Sequence, residues 1–252
     1  MRLALAAALL AATAAPALAA PLHSYSGLAL SAAGDRVASV EEEEGATAKP
    51  AHGRIVVRSA KDGKILATLD PCAQCSYSGL AFGPGGTLAY LQRDRASGVV
   101  ALALADGKTT RTVASVKGIA QTPRFSPDGR KIALLVTLNA AKESGATQPG
   151  VRQVGEIGEK SDEQRLAVFS LAGAPVTDVK PVSPADRYVY EYSWTPDGTG
   201  FVATTALGNG DNNWWVATLD AIDATTGAVR PIARPKTQIN ACLLYTSDAA
   251  DE

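Results

Sequence analysis

Apolar residues fall in short alternating runs along most of this chain, and the runs pair around tight turns. GLALSAAGDRVASV, Gly27 to Val40, sets the pattern. It returns as GLAFGPGGTLAYL (Gly79 to Leu91), PRFSPDGRKIALLV (Pro123 to Val136) and YSWTPDGTGFVATT (Tyr192 to Thr205). Apolar–polar alternation of period two predicts strands. Leu30, Phe82, Phe125 and Trp194 hold the same place in each copy. The turns share their chemistry. Pro127 and Pro196 pre-set φ, Asp128 and Asp197 tolerate bridge or left-handed geometry, and Gly129 and Gly198 take the positive φ that ends the turn.

A second hairpin follows each first one. IVVRSAKDGKILATL (Ile55 to Leu69) turns at Asp62-Gly63, and VVALALADGKTTRTV (Val99 to Val113) at Asp106-Gly107. RLAVFSLAGAPVTDV (Arg165 to Val179) turns at Ala172-Gly173, and VATLDAIDATTGAVRPI (Val216 to Ile232) at Thr226-Gly227. Asp-Gly between apolar runs is a strong hairpin signal. The unit is therefore four antiparallel strands, repeating every ~40–70 residues, where a propeller blade takes about 40–45. Insertions at Glu41 to Gly53 and Asn139 to Gln164 stretch the longer repeats. No helical period runs through the repeats. The pattern predicts an all-β chain, a partial β-propeller of about four four-stranded blades with an incomplete ring. The blades fall near residues 24–70, 77–115, 120–180 and 188–235. A β-sandwich is the competing reading, and four copies of a two-hairpin unit speak against it.

The ends differ from this pattern. Arg2 followed by the apolar run Leu3 to Ala15 and the small-x-small site Ala17-Leu18-Ala19 reads as a secretory signal over residues 1–19, cleaved near Ala19. The run is shorter than the roughly 20 residues that span a bilayer. An uncleaved anchor or a buried helix is the alternative. The expected mature protein, residues 20–240, is exported, periplasmic or extracellular, with no membrane association once the signal is gone. CLLYTSDAADE, Cys242 to Glu252, appears where a fifth blade should open, and resembles translated sequencing-adapter read-through. Residues 241–252 are read as a non-native tail, against the alternative of a divergent C-terminus.

Charge narrows the partners. Lys and Arg number 24 and Asp and Glu 25, a net charge of −1, so no basic field exists to attract nucleic acid. Chemistry is sparse. There is no Gly-x-Ser-x-Gly nucleophile elbow, and the two histidines, His23 and His52, have no identifiable serine partner and read as surface or loop residues. Metal motifs are missing, and GVRQVGEIGEKS, Gly150 to Ser161, lacks the Gly-Lys of a phosphate loop, so no metal or cofactor is expected. Cys72-Ala-Gln-Cys75 reads as a local disulfide between blades one and two, with a redox or zinc role or free thiols as alternatives. Glu41 to Glu44 is the one charge run. It reads as a solvated loop, or as a clamp for a peptide ammonium, which makes Glu43 and Glu44 weak candidates for substrate binding. Asp211-Asn212-Asn213-Trp214-Trp215 reads as a turn feeding a strand whose tryptophans pack between blades.

The FSPDG and WTPDG hairpins resemble the blades of two related groups, the TolB-type periplasmic propellers and the N-terminal propellers of secreted serine peptidases of the prolyl oligopeptidase family. GNGDNNWWVATLDAIDATTGAVRPIARPKTQIN, Gly208 to Asn240, and DPCAQCSYSGLAF, Asp70 to Phe82, look more like the peptidase group, of the dipeptidyl aminopeptidase and acylaminoacyl-peptidase kind. The resemblance covers Pro21 to Asn240. It implies a propeller that gates peptide access to an α/β-hydrolase domain carrying a Ser-Asp-His triad. This chain holds no such triad, so the expectation is a substrate-gating fragment with no catalytic residue of its own, inactive alone. Its partner is a peptide substrate, met through the parent enzyme. The alternative is a TolB-like scaffold that docks other envelope proteins. Peptide specificity, total blade number and oligomeric state stay open.

Overall fold

The paired runs fold as antiparallel strands in three sheets. The computed structural model describes residues 22–44, 52–107, 109–140, 163–208, 213–237 and 239. The first sheet holds β1 (Leu22–Leu30), β2 (Arg36–Glu44), β3 (Arg54–Ser59) and β4 (Ile65–Leu69), bonded in chain order. The second holds β5 (Cys75–Phe82), β6 (Leu88–Asp94), β7 (Val99–Asp106), β8 (Thr109–Phe125), β9 (Lys131–Leu138) and β10 (Arg165–Ser170). The third holds β11 (Arg187–Trp194), β12 (Gly200–Leu207), β13 (Thr218–Asp223) and β14 (Val229–Ala233). The first strands of the units, β1, β5 and the second half of β8, lie side by side. The fold is an open, partial β-propeller.

The six-stranded sheet is two blades fused through β8. Residues Thr109–Lys117 pair with β7 and close blade two, and Gly118–Phe125 pair with β9 and open blade three. Gly118 is the crossing point. It has φ +127°, and a Cβ there would lie 2.2 Å from the Thr137 carbonyl oxygen, so only glycine fits.

Blade three departs from the expected four strands. The hairpin read at Arg165–Val179 does not form a regular second arm. Val176 instead bridges Ala114 in parallel, on the free edge of β8. The chain returns to β10 only at Val182, whose N–H donates to the Leu166 carbonyl, and at Ser183, whose hydroxyl accepts the Leu166 N–H. Pro175, Pro181 and Pro184 lack the N–H that a continuous ladder needs.

Strand alternation gives each blade two distinct ends. The β1–β2, β5–β6, β8–β9 and β11–β12 turns lie at one, the hairpin end, and abut from blade to blade. A Cβ on Gly129 would sit 3.2 Å from Pro84, and one on Gly198 would sit 3.5 Å from Pro127. The β2–β3, β9–β10 and β12–β13 connections and the links between blades lie at the other, the connection end. Between the ends, the core forms three apolar layers. Val40, Ile55 and Val57 pack against Tyr77 and Tyr90. Leu102, Val116, Ile132 and Leu134 fill the fused sheet. Leu135 and Leu166 meet Tyr192, Trp194 and Phe201. Each fully buried side chain of this size contributes about 1.5–3 kcal/mol.

Two readings are corrected. Glu41–Glu44 do not form a solvated loop: they extend β2 and pair with Tyr25, Ser24, His23 and Leu22 of β1. The insertion is correspondingly shorter. The Trp214-Trp215 segment is not a strand: Trp214–Val216 form a 3-10 turn, and Trp215 is 60% exposed. The leader (1–19), the Gly150–Ser161 loop and the tail (241–252) lie outside the described residues.

Candidate functional site

The side chains with chemistry to offer gather at the connection end. Alternation along β2 puts Ser39, Glu41 and Glu43 on one face. Glu41 is committed there. Arg58 of β3 grips its carboxylate with two bonds, Nε to Oε1 at 2.8 Å and Nη2 to Oε2 at 2.7 Å, and the Ser39 hydroxyl donates to Oε1 at 3.0 Å. These bonds, Arg58 first, hold the Glu41 carboxyl below the usual carboxylate range. Glu43 is exposed and lies opposite His23 in the strand register, while Glu44 ends the strand opposite Leu22.

A second cluster ties the first blade to the second. Cys72 and Cys75 are joined as a disulfide, with Cα atoms 5.4 Å apart. The Tyr77 hydroxyl lies 3.0 Å from Asp70 Oδ1, 3.0 Å from the Cys72 carbonyl and 3.0 Å from the Cys72 N–H, which donates to it. His52 Nε2 donates to the same Asp70 oxygen at 2.8 Å. Burial pushes the Asp70 carboxyl up, but the His52 and Tyr77 hydrogen bonds outweigh it and hold the group below its ordinary range. Burial, with the Asp70 carboxylate adding to it, pushes the Tyr77 phenol up to about 12. His52 is therefore not a free loop histidine. Its ring closes the loop after β2 onto the link between β4 and β5. Phenol and imidazole both bind the one carboxylate here, and the cluster acts as a clasp rather than as a base facing a nucleophile.

The third cluster lies within blade four, across β11, β12 and β13. Asp220, 1% exposed, receives three donors on Oδ2: Arg187 Nη1 at 2.8 Å, Thr218 Oγ1 at 2.9 Å and Thr205 Oγ1. Its Oδ1 is buried with no hydrogen-bond partner among the described residues. Nearby, Gln164 donates to the Val189 carbonyl at 2.8 Å. The Tyr192 hydroxyl sits between the carbonyls of Thr122 and Ala133, at 2.6 and 2.7 Å.

Comparison with solved structures settles the fold. TolB from Acinetobacter baumannii aligns with TM-score 0.52 at 12% identity, over 85% of this chain and 45% of its own. An acylaminoacyl peptidase solved in complex with Z-Gly-Gly-Phe-chloromethyl ketone aligns with TM-score 0.54 at 12% identity, over 84% of this chain and 32% of its own. Prolyl oligopeptidase B from Galerina marginata aligns with TM-score 0.54 at 15% identity, over 85% and 29%. No protein-family model and no curated protein sequence matches the chain. The chain thus has a propeller fold shared with peptidases and with TolB, and spans less than half the length of each of these proteins.

Sequence reasoning found the cysteine pair and the glutamate run, and missed Asp70, Tyr77, Arg187 and Asp220. Asp70 and Tyr77 bracket the Cys72–Cys75 segment, so a signal was present. Arg187 and Asp220 stand 33 positions apart and carry none. Among the described residues no group of three or more His, Cys, Asp or Glu is placed to hold a metal ion, and no helix is long and apolar enough to cross a membrane.

Proposed function

We propose that this chain is the substrate-gating propeller of an exported serine oligopeptidase of the dipeptidyl aminopeptidase type, with its α/β-hydrolase domain carried outside this sequence. The observation that supports it is the alignment of more than four-fifths of the chain with under a third of the length of two peptidases, along arrays of the same fold. In this reading the connection end faces the peptide. Glu43 and Glu44 are the carboxylates offered to a peptide ammonium, Glu41 being held by Arg58. The chain alone hydrolyses nothing.

The test is the reading frame past codon 240. It should continue through further blades into a domain with Gly-x-Ser-x-Gly, and the longer product should be labelled by a fluorophosphonate while residues 20–240 are not. A stop within one or two blades, with no nucleophile elbow, would sink the peptidase reading and favour a TolB-like scaffold.

A further inference from the structure

At the hairpin end, a cavity of about 380 Å³ opens between blades two and three. That is the size of a small-molecule site. Leu104 of β7, Phe125 of β8 and Leu171, just past β10, line it with apolar surface, and Asp106 and Arg111 are the charged residues of the lining. Leu104 is buried, Phe125 and Leu171 are half-buried, and Asp106 and Arg111 are exposed. The floor is therefore apolar, and the rim carries one charge of each sign.

The irregular arm of blade three builds this pocket. A regular fourth strand would carry the chain back along β10 after Leu171. Instead the chain crosses to blade two, where the Val176 N–H donates to the Val113 carbonyl and the Val176 carbonyl accepts the Ser115 N–H. Val113 is the extra residue of a bulge in β8, since Leu102 pairs with Ala114 and Ala103 with Thr112. Leu171 is pinned where the crossing starts. Its N–H donates to the Arg130 carbonyl at 2.9 Å, and its own carbonyl accepts Arg111 Nη2 at 2.8 Å. The aromatic wall is fixed from behind: a Cβ on Gly83 would lie 2.7 Å from the Phe125 ring, so the ring rests against bare backbone.

Asp106 differs from the other turn aspartates. Asp62 accepts the Lys64 N–H, and Asp128, Asp197 and Asp223 accept the hydroxyls of Ser126, Thr195 and Thr226. At Asp106 the Thr109 hydroxyl donates to the backbone carbonyl instead, at 3.1 Å, and the carboxylate takes no hydrogen bond or ion pair from any described residue. Arg111 gives one N–H to the neutral Leu171 carbonyl and meets no carboxylate among the described residues. Across the ladder Asp106 pairs with Thr109 and Leu104 with Arg111. The two charges are thus diagonal neighbours on one face, with backbones roughly 7–8 Å apart. An ammonium and a carboxylate on a single carbon span such a gap and leave neither charge unpaired. A phosphate would meet the Asp106 carboxylate, and a diamine the Arg111 guanidinium. We propose that this pocket binds a free apolar α-amino acid, with Asp106 taking its ammonium group, Arg111 its carboxylate, and Leu104, Phe125 and Leu171 its side chain. The site goes beyond the gating role and rests on none of it.

Calorimetric titration of the full chain with leucine, leucinamide, N-acetyl-leucine and glycine tests this. Leucine should bind about tenfold tighter than each of the others, because each lacks one of the three contacts. No binding of leucine, or any of the others binding as tightly, overturns the site. Asp106→Asn should erase the preference over N-acetyl-leucine, and Arg111→Gln the preference over leucinamide. A preference that survives its own variant overturns the assignment of that residue. Each variant also removes a repulsion, so N-acetyl-leucine should bind Asp106→Asn, and leucinamide Arg111→Gln, at least as tightly as they bind the parent. Loss of leucinamide binding by Arg111→Gln would make Arg111 a prop for Leu171 rather than an ion partner, and overturns the proposal. None of these results bears on the hydrolase, which stands or falls on the extended reading frame.

Discussion

At the hairpin end, the Ser/Thr and Asp side chains of the β8–β9 and β11–β12 turns find partners within five residues of each other. Ser126 donates to Asp128 at 2.6 Å and accepts the Lys131 N–H at 2.9 Å, and Thr195 does the same with Asp197 and Gly200, at 2.6 and 3.1 Å. At the connection end, partners come from far along the chain: Arg58 for Glu41, His52 for Asp70, Arg187 for Asp220. The first arrangement shapes turns and leaves its carboxylates in water. The second spans strands within a blade and places charge in part-buried ground. Changes at the connection end should therefore cost more stability, and alter more of the molecule, than changes at the hairpin end.

The largest effect is expected at Asp220. Asp220→Ala leaves the Arg187 guanidinium, 18% exposed, without its buried carboxylate, and should cost about 3–5 kcal/mol by urea unfolding. The pair itself is not the source of that cost. Arg187→Met with Asp220→Leu removes both charges and should return stability to within about 1 kcal/mol of the parent. A double variant as unstable as Asp220→Ala would show that shape, not the unpaired charge, is what blade four requires.

Next comes the clasp between blades one and two. Cys72→Ser with Cys75→Ser opens a very short loop, worth about 2 kcal/mol on the chain-entropy account. Cys75 is 1% exposed, so the buried hydroxyl that replaces its sulfur adds to the loss. An unchanged urea midpoint would mean that the Tyr77–Asp70–His52 bonds hold this link unaided.

The same contrast explains what could be read from the chain alone. Turn chemistry is local, so Ser126, Asp128 and Gly129 announced their hairpin, and the repeat of that hairpin announced the propeller. Glu41–Glu44 misled because four adjacent charges look like a loop. What makes them a strand is pairing with Leu22–Tyr25, which no short window contains. Blade three was drawn with a fourth strand because Arg165–Val179 alternates correctly; its prolines and the free edge of β8 drew Val176 to Ala114 instead. The Arg187–Asp220 pair was invisible for a related reason: β12 lies between their two strands, and a spacing of 33 residues has no period to detect.

A smaller effect should follow loss of the Glu41 pair, and it should depend on pH. The folded-state carboxyl is held low, chiefly by Arg58. Its stabilisation is therefore complete above the ordinary glutamate range and fades as pH falls through the lowered value. Glu41→Gln should be less stable than the parent at pH 7, by less than the disulfide variant, with the gap closing on acidification. A gap that is constant down to pH 3 would assign the loss to packing along β2 rather than to the charge.

The smallest effect belongs to the hairpin end. Asp197 is held below its usual range first by the Thr195 hydroxyl and then by the Thr199 N–H, yet it is fully exposed, so water competes for every bond it makes. Asp197→Ala should lower the urea midpoint at pH 7 by less than any change above. The sign with pH matches that of Glu41: a depressed carboxyl stabilises above the ordinary aspartate range and stops doing so once protonated. The variant and the parent should thus converge in acid. The Gly83–Pro84–Gly85–Gly86 turn forms with neither the hydroxyl nor the carboxylate, its Gly86 N–H bonding the Gly83 carbonyl at 3.1 Å. That turn shows that the backbone bond and glycine geometry close the hairpin by themselves. If Asp197→Ala proves costlier than the disulfide change, the division between the two ends fails, and the turn carboxylates are holding neighbouring blades together rather than trimming their own loops.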